Sequence, residues 1–198
     1  VDPLGLTCKQ NSWNEFQKRT KGHFANSSEA AKSYQMMKKE QATEKGLRKG
    51  PSSYLPQSFI DAHMKKFENG ASYFAPKWAL DEFGRDPVGR VDGQFVMSTD
   101  QVNEVLIRTN GDMTLIEKEL GIPEGDWQGQ EMVVIEIQSP QDVNLRMATG
   151  NEEGANDLWL AGGQLPTGHD EAVVDAIPKG GYKEMSISEA IDNAKKKK

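Results

Sequence analysis

Hydrophobic spacing changes near residue 70 and divides the chain into two parts. Before that point apolar residues recur three and four positions apart, which is the spacing of helices that bury one face. Three helices are predicted, at about residues 13–24, 27–44 and 56–70. Ser27 or Ser28 is the expected N-cap of the second helix, because a serine hydroxyl can accept from a free backbone N–H. The aromatic and methionine residues fall at helical spacing, so this segment is expected to serve in packing or target docking.

After residue 70, short apolar runs rich in β-branched and aromatic residues alternate with helical patterns. Strands are predicted at residues 71–74, 94–97, 131–137 and 171–174, with a further short strand at 145–147. Helices are predicted at residues 78–83, 99–107 and 114–120, the second of them capped within Ser98-Thr99-Asp100. This alternation predicts an α+β fold with an N-terminal helical segment.

Two glycine-rich loops interrupt the second part. Residues 84–93 hold three glycines together with Arg85 and Arg90, ahead of a predicted helix N-terminus. Such a loop suits a diphosphate, and it fits an ordinary surface loop equally well. Residues 149–157 are small and polar, and they predict a mobile loop outside the core. Trp159 follows in a short apolar run, which is expected to anchor this loop or to act as a lid over the substrate.

Composition suits one domain with a smaller appendage. The chain has 198 residues, of which 36% are hydrophobic and 27% charged, and it is expected to be soluble and without a signal peptide. No apolar run approaches the ~20 residues that a membrane span needs. The single Cys8 allows no internal disulfide, and no Cys/His pair has zinc-ligand spacing. We therefore expect neither a membrane segment nor a metal site.

Charge is distributed unevenly along the chain. Residues 1–66 hold twelve Lys/Arg against six Asp/Glu, whereas residues 67–198 hold twelve against twenty-four. An acidic second part disfavours a nucleic-acid substrate, because such binding depends on neutralising phosphates. A protein or small-molecule target is favoured, although the basic first part leaves RNA open. The Lys195–Lys198 run is expected to be a frayed, solvated tail.

The turn at residues 165–170 delivers Glu171 to the mouth of the last predicted strand. A carboxylate fixed there by a sheet can perform chemistry, or it can be a solvated charge at a strand end. Three histidines and one cysteine give little support to Ser/His/Asp, Cys/His or metal-nuclease centres. The remaining groups are carboxylates, Arg, Ser/Thr and Tyr. They fit cleavage of the nicotinamide–ribose bond of NAD, in which a carboxylate stabilises an oxocarbenium-like transition state and no metal is required.

A different class of enzyme fits the same region. In a metal-independent RNase, His169, Glu171 and Arg85 would be acid, base and phosphate clamp, and the basic helices would bind RNA. A non-enzymatic binding module is the least expected class, because polar glycine-rich loops converge near one carboxylate.

The first six residues, Val-Asp-Pro-Leu-Gly-Leu, resemble the DPxGL junction that closes the β-cage of Rhs-repeat proteins. In that family the shell cuts itself at this junction and leaves a variable C-terminal toxin. The resemblance implies that residues 1–10 are a cage remnant, residues 11–70 a helical lead-in and residues 71–198 the toxin's catalytic core. It also implies encapsulation by an Rhs cage, contact-dependent (type VI) secretion, action in the target-cell cytoplasm and a cognate immunity protein.

Residues 71–187 resemble the ADP-ribosyltransferase fold, which implies a split β-sandwich core and NAD as substrate. The resemblance makes Glu171 the catalytic glutamate and places His169 and Asp170 in the turn that recognises the target, with Trp159 nearby. It implies that the NAD-binding residues are Tyr73, Ser98, Thr99 and one of Arg85 and Arg90. Two departures stand out: the residue two before Glu171 is neither Glu nor Gln, and the first strand carries no arginine.

Among Rhs toxins the chain is similar to those that ADP-ribosylate translation components, in particular the elongation factor Tu-modifying type. The expected function is an antibacterial ADP-ribosyltransferase that blocks protein synthesis. The alternatives are an NAD glycohydrolase, in which water replaces the protein acceptor, and the RNase described above.

Overall fold

The computed structural model describes residues 12–197. The junction-like residues 1–10, including Cys8, lie outside this range. Seven α-helices and five β-strands fall within residues 12–197, and these strands form one antiparallel sheet. The fold class is therefore α+β, as the sequence pattern predicted. None of the helices in the described range combines the length and the apolar composition needed to cross a bilayer.

Three helices precede the sheet, where the spacing predicted them. They are α1 (Trp13–Arg19), α2 (Ser27–Ala42) and α3 (Gln57–Lys65). The predicted N-cap of α2 is wrong, since Asn26 is the cap and its side chain accepts a hydrogen bond from Glu29 N at 3.0 Å. Asn26 has extended backbone with φ −158°, so helical geometry has already begun at Ser27.

The sheet and the helices around it follow from residue 71. In chain order the elements are β1 (Ala71–Pro76), α4 (Lys77–Phe83), β2 (Gln94–Ser98), α5 (Thr99–Thr109), α6 (Met113–Leu120), β3 (Met132–Ile137), β4 (Glu171–Val174), β5 (Lys183–Ser186) and α7 (Ile187–Lys196). Across the sheet the strand order is β4-β2-β1-β3-β5. The four main strand predictions are confirmed. The cap prediction is confirmed as well, because Ser98 Oγ accepts from Gln101 N at 3.3 Å.

The C-terminal end of the fold differs from the prediction. The strand expected at residues 145–147 is absent, and Arg146 forms only an isolated bridge with Val173. The unpredicted β5 forms the edge of the sheet beside β3, and the unpredicted α7 packs on the sheet face that also carries α5 and α6. Lys195 and Lys196 belong to α7, and Lys197 Nζ donates to Glu136 Oε1 at 3.2 Å, so the prediction of fraying is wrong for these residues. They are exposed, as predicted.

Apolar clusters cover both faces of the sheet, because side chains alternate along each strand. One face carries Tyr73, Val96, Ile135 and Ala172 against Leu80, Val88 and Ile177. The other face carries Phe74, Met97 and Val134 against residues of α5, α6 and α7. A third cluster joins the N-terminal helices to residues 147–161, through Phe16, Met37, Phe59, Met147, Ala155, Trp159 and Ala161.

Candidate functional site

A cleft of about 250 Å³ lies on the sheet face that carries α5, α6 and α7. Its floor comes from β1, β2 and β4, and its walls come from residues 120–127 and 154–159. Much of its lining is aromatic or aliphatic, including Phe74, Phe95, Met97 and Trp127. Glu171 lies in this lining and is the cross-strand partner of Met97. A mainly apolar cleft with few polar groups is typical of small-molecule sites.

The backbone of Glu171 is fixed on both sides. Its N–H donates to Gly163 O at 2.9 Å, and its carbonyl oxygen accepts from His63 Nε2 at 2.8 Å. Glu171 is only 8% exposed, and within residues 12–197 its carboxyl group has no hydrogen-bond partner. The interpretation of Glu171 as a solvated strand-end charge is therefore wrong.

Burial changes the acidity of this carboxyl group. Desolvation, reinforced by the negative charge of Glu152, raises the pKa of Glu171 to about 8. The carboxyl is thus largely protonated at neutral pH. A carboxyl with a strongly raised pKa in a cleft is a typical catalytic candidate.

Glu152 is a residue that the sequence interpretation missed. It is 5% exposed, and its carboxylate accepts hydrogen bonds from Thr149 N, Thr149 Oγ1 and Gly150 N at 2.9, 3.1 and 2.8 Å. The small polar residues around it predicted a loop outside the core, but Ala155 is 7% exposed and belongs to the third cluster. The sequence did offer a signal for Glu152, which follows Thr149-Gly150 by two to three positions. At that spacing a carboxylate can accept hydrogen bonds from free backbone N–H groups.

Another buried glutamate stabilises the opposite wall of the cleft, which is formed by residues 120–127. Glu117, on α6, accepts from Gly125 N at 3.0 Å, from Trp127 N at 2.6 Å and from Gln128 Nε2 at 2.6 Å. Burial acts to raise the pKa of Glu117, but these hydrogen bonds hold it below its ordinary value. Trp127 is thereby fixed beside Phe74, with ring centroids 5.6 Å apart.

The N-terminal helices and the loop after α2 make hydrogen bonds to residues 150–162, which precede Glu171 in the chain. Arg48 Nη1 donates to Gly150 O at 2.7 Å, and its guanidinium lies 4.7 Å from the ring centroid of Trp159. Gln41 bonds to Trp159 O and Ala161 N, and Arg19 donates to Gly162 O. The buried Trp159, 6% exposed, thus anchors this loop while also lining the cleft.

The other two predicted target-recognition residues are also held within the protein. Lys66 Nζ and Gln101 Nε2 donate to the two carboxylate oxygens of Asp170 at 2.8 and 3.0 Å. His169 is half-buried, its Nδ1 lies 3.0 Å from Thr167 Oγ1, and burial lowers its pKa. Asp170 therefore fixes the start of β4, which is a positioning contact.

Three of the predicted NAD-binding residues have structural contacts. The side chain of Tyr73 belongs to the cluster on the opposite face of the sheet, although β1 borders the cleft at this position. Ser98 caps α5, and Thr99 Oγ1 lies 2.9 Å from Ser72 Oγ. Besides Trp159, the aromatic residues in the lining of the cleft on this face are Phe95, Phe74 and Trp127, and the sequence interpretation selected none of these three.

The two candidate arginines occupy different places. Arg85 makes a bidentate pair with Glu184, at 2.6 and 3.0 Å, and a further bond to Asp81, and it does not line the cleft. Arg90 is half-exposed and pairs with Glu153 at 3.2 Å. It lies beside Gly154, a residue of the cleft wall, so only Arg90 is close to the site.

Comparisons with known proteins give no information about the function of this site. No protein-family model matches the chain, and no curated protein is significantly similar to it. Within residues 12–197 no group of three His, Cys, Asp or Glu side chains could hold a metal ion.

Gly163 gives a test of how the loop positions Glu171. A Cβ at Gly163 would lie 2.7 Å from His63 Nε2, at a φ of +78°. We expect Gly163→Ala to lower the free energy of unfolding by roughly 2–4 kcal/mol, through backbone strain and displacement of His63. Denaturant unfolding measures this change. In the control Gly125→Ala, φ is +92° but the new Cβ meets nothing within 4 Å, so only the strain of about 1 kcal/mol remains. Equal losses in both variants would contradict a close contact with His63.

The raised pKa of Glu171 predicts a pH-dependent cost to stability. The pKa is about 8 in the fold and 4.5 ordinarily, so the unfolded chain loses this proton while the fold retains it. The free energy of unfolding therefore falls as pH rises from about 4.5 to about 8. Glu171→Gln removes this term and should be more stable than wild type by roughly 2–4 kcal/mol at pH 8, with no difference at pH 4.

Denaturant unfolding at pH 4, 6 and 8 measures the effect, and Glu124→Gln is the control because Glu124 is exposed. A stability difference between wild type and Glu171→Gln that does not change with pH would show that Glu171 ionises normally in the fold.

Proposed function

We propose that this protein cleaves the nicotinamide–ribose bond of NAD and transfers ADP-ribose to a protein acceptor. The observation that carries the proposal is the carboxyl of Glu171, buried and without a partner among residues 12–197, on the floor of an aromatic-lined cleft. A charge that develops beside such a group is stabilised strongly, because little water competes with it.

In the proposed reaction the bond between the ring nitrogen and ribose C1′ breaks. Its electron pair goes to the nicotinamide ring, which becomes neutral, and positive charge develops on the ribose. The bound cationic ring lowers the pKa of Glu171 by attraction, so the carboxyl releases its proton to solvent on binding. Its carboxylate then lies where the oxocarbenium-like charge appears. A nucleophile of the acceptor then attacks C1′ and releases its proton.

The volume of the cleft suits the nicotinamide end of NAD and not the whole molecule. About 250 Å³ suits a nicotinamide ring and its ribose, and is below the roughly 300–1,000 Å³ of pockets that enclose a whole ligand. The diphosphate would then lie at the rim, where Arg90 stands beside Gly154. Of the two candidate arginines, Arg90 is favoured for the phosphates, because Arg85 is paired with Glu184.

The biological setting of the proposal comes from the resemblances. The junction-like residues 1–10 and the likeness of residues 71–187 to ADP-ribosyltransferases support an antibacterial Rhs toxin that inhibits translation, with elongation factor Tu as the proposed acceptor. Release from an Rhs cage, type VI delivery into a target-cell cytoplasm and a cognate immunity protein belong to the same proposal. A split β-sandwich has two sheets, whereas residues 12–197 form one, so the proposal is supported by the site more than by the sheet.

An NAD glycohydrolase is the second candidate, and a specific observation favours it. Asp170 and Trp159, expected to recognise a protein target, are buried and bonded within the chain. The RNase arrangement is less well supported, because Arg85 is paired with Glu184 and does not line the cleft that holds Glu171.

Incubation with labelled NAD, with and without a bacterial lysate, tests the proposal. Wild type should release nicotinamide and label one lysate protein, and Glu171→Gln should lower nicotinamide release at least about 100-fold, because charge stabilisation is lost. Thermal unfolding of Glu171→Gln confirms that it folds. Expression in a bacterial cytoplasm should arrest growth with wild type only.

Nicotinamide release without a labelled protein would favour the glycohydrolase. No NAD turnover, together with RNA cleavage that weakens steeply with salt, would replace the proposal by the RNase. Full turnover by Glu171→Gln would show that Glu171 is not the catalytic group.

The two arginines form a matched pair for locating the phosphates. Arg90→Ala should raise the KM for NAD about tenfold, the loss of one charge-assisted hydrogen bond, with little change in kcat. Arg85→Ala should leave KM within about twofold, although it removes the pair with Glu184 and can lower the melting temperature. Steady-state kinetics at one ionic strength measure both. A larger effect of Arg85→Ala on KM would move the phosphate site away from the rim at Gly154.

A further inference from the structure

Two aromatic side chains form an exposed apolar pair on α4. Trp78 is 53% exposed and Phe83 is 77% exposed, and their ring centroids lie 6.5 Å apart. Four other large apolar side chains are exposed in the described part of the chain, each on a different segment: Met36, Leu47, Val91 and Leu115. Single exposed apolar residues are ordinary, whereas aromatic residues in contact on a surface are typical of interaction sites.

Trp78 is held in one orientation although it is exposed. Its indole Nε1 donates to Gln130 Oε1 at 2.7 Å. Gln130 is in turn fixed to the preceding turn, because its N–H donates to Trp127 O at 3.2 Å and its Nε2 donates to Asp126 O. A large side chain that is already ordered loses less entropy when a partner binds, so this geometry favours recognition through Trp78.

The same turn connects the aromatic pair to the cleft. Trp127, at one end of the turn, lines the cleft and packs on Phe74. Gln130, at the other end, bonds to Trp78. In addition, α4 follows directly after β1, which contributes to the floor of the cleft. A protein that binds over this wall therefore contacts both the cleft and Trp78.

The two segments that meet at Trp78 are acidic. Residues 77–86 and 124–131 hold two Lys/Arg against six Asp/Glu. Both cations are neutralised within the chain, since Lys77 Nζ pairs with Asp81 at 2.8 Å and Arg85 pairs with Asp81 and Glu184. The surface around the aromatic pair thus keeps an excess of negative charge.

Glu82 brings part of this charge next to the aromatic rings. It lies one helical turn after Trp78, is exposed, and forms no ion pair within residues 12–197. Aromatic faces and free carboxylates attract the same chemical group, the cationic side chain of Lys or Arg. An acidic surface also repels phosphates, so this surface disfavours nucleic acid.

We infer that Trp78, Phe83 and Glu82 form a docking surface for the protein acceptor of ADP-ribose, and that this surface binds Lys or Arg side chains of the acceptor. The inference rests on the proposed function and names the partner surface beside its site. It gives the acceptor an exposed binding place, which the buried Asp170 and Trp159 do not offer.

Label transfer from NAD to lysate protein, measured beside nicotinamide release without lysate, separates docking from chemistry. Phe83→Ala and Glu82→Lys should each lower the initial rate of label transfer at limiting lysate by at least about tenfold. Nicotinamide release without lysate should stay within about twofold, because neither residue lines the cleft. Both side chains are exposed, so both variants should fold, and thermal unfolding checks this.

Two matched variants serve as controls. Leu47→Ala removes an exposed apolar side chain from the loop after α2. Glu68→Lys makes the same change of net charge as Glu82→Lys, at an exposed position ahead of the other end of β1. Both controls should transfer label at the wild-type rate.

An octa-arginine peptide is a probe that needs no NAD chemistry. In calorimetric titration at physiological ionic strength, Phe83→Ala and Glu82→Lys should each weaken binding of the peptide at least about tenfold. The two controls should stay within about threefold of wild type, because distant charges are screened. The peptide should also inhibit label transfer without inhibiting nicotinamide release.

The outcomes separate the inference from the proposed function. Label transfer that both variants leave unchanged would overturn the inference and leave the proposed function standing. Peptide binding that depends on Phe83 and Glu82, without NAD turnover, would overturn the proposed function and support a docking surface for a basic partner. A dimer that Phe83→Ala dissociates, measured by sedimentation, would assign the surface to a second copy of this chain and overturn the inference.

Discussion

The unpaired burial of Glu171 is the constraint on which the rest of the site depends. A carboxyl that is removed from water without hydrogen bonds disfavours its charged form, and Glu152 reinforces this effect. The group can stay there only because its backbone is fixed by Gly163 and His63, and because β4 pairs with β2 beneath it. The expected cost to stability and the proposed chemical use of the carboxyl have the same origin.

Three buried glutamates show how surroundings decide the role of one residue type. Glu117 and Glu152 each accept several hydrogen bonds, largely from backbone N–H groups, and each holds one wall of the cleft. In Glu117 those bonds stabilise the ionised form and lower the pKa of the carboxyl. Glu171 lies between these walls without such bonds, and its pKa is raised. Two glutamates therefore stabilise the walls of the cleft, and the third has the properties on which the proposed chemistry rests.

The N-terminal helices and the sheet cooperate in forming this cleft. Arg19, Gln41 and Arg48 bond to backbone atoms of residues 150–162, while His63 and Lys66 bond to the two residues at the turn into β4. These contacts cross residue 70, where the hydrophobic spacing changes. The N-terminal segment thus positions one wall of the cleft. Three of its basic residues, Arg19, Arg48 and Lys66, take part in these contacts.

The sequence by itself determined the fold class, the four main strands, the Ser98 cap and the place of Glu171 at the start of β4, because side-chain period and capping are local properties. Only the tertiary structure decided the rest of the site. Tyr73 faces the opposite core through the pairing of β1. Arg90 lies beside Gly154 of the cleft wall, whereas Glu184 of the unpredicted β5 holds Arg85 away from the cleft. Glu152 makes local hydrogen bonds, but tertiary packing brings its charge close enough to act on Glu171, and no local pattern encodes that approach.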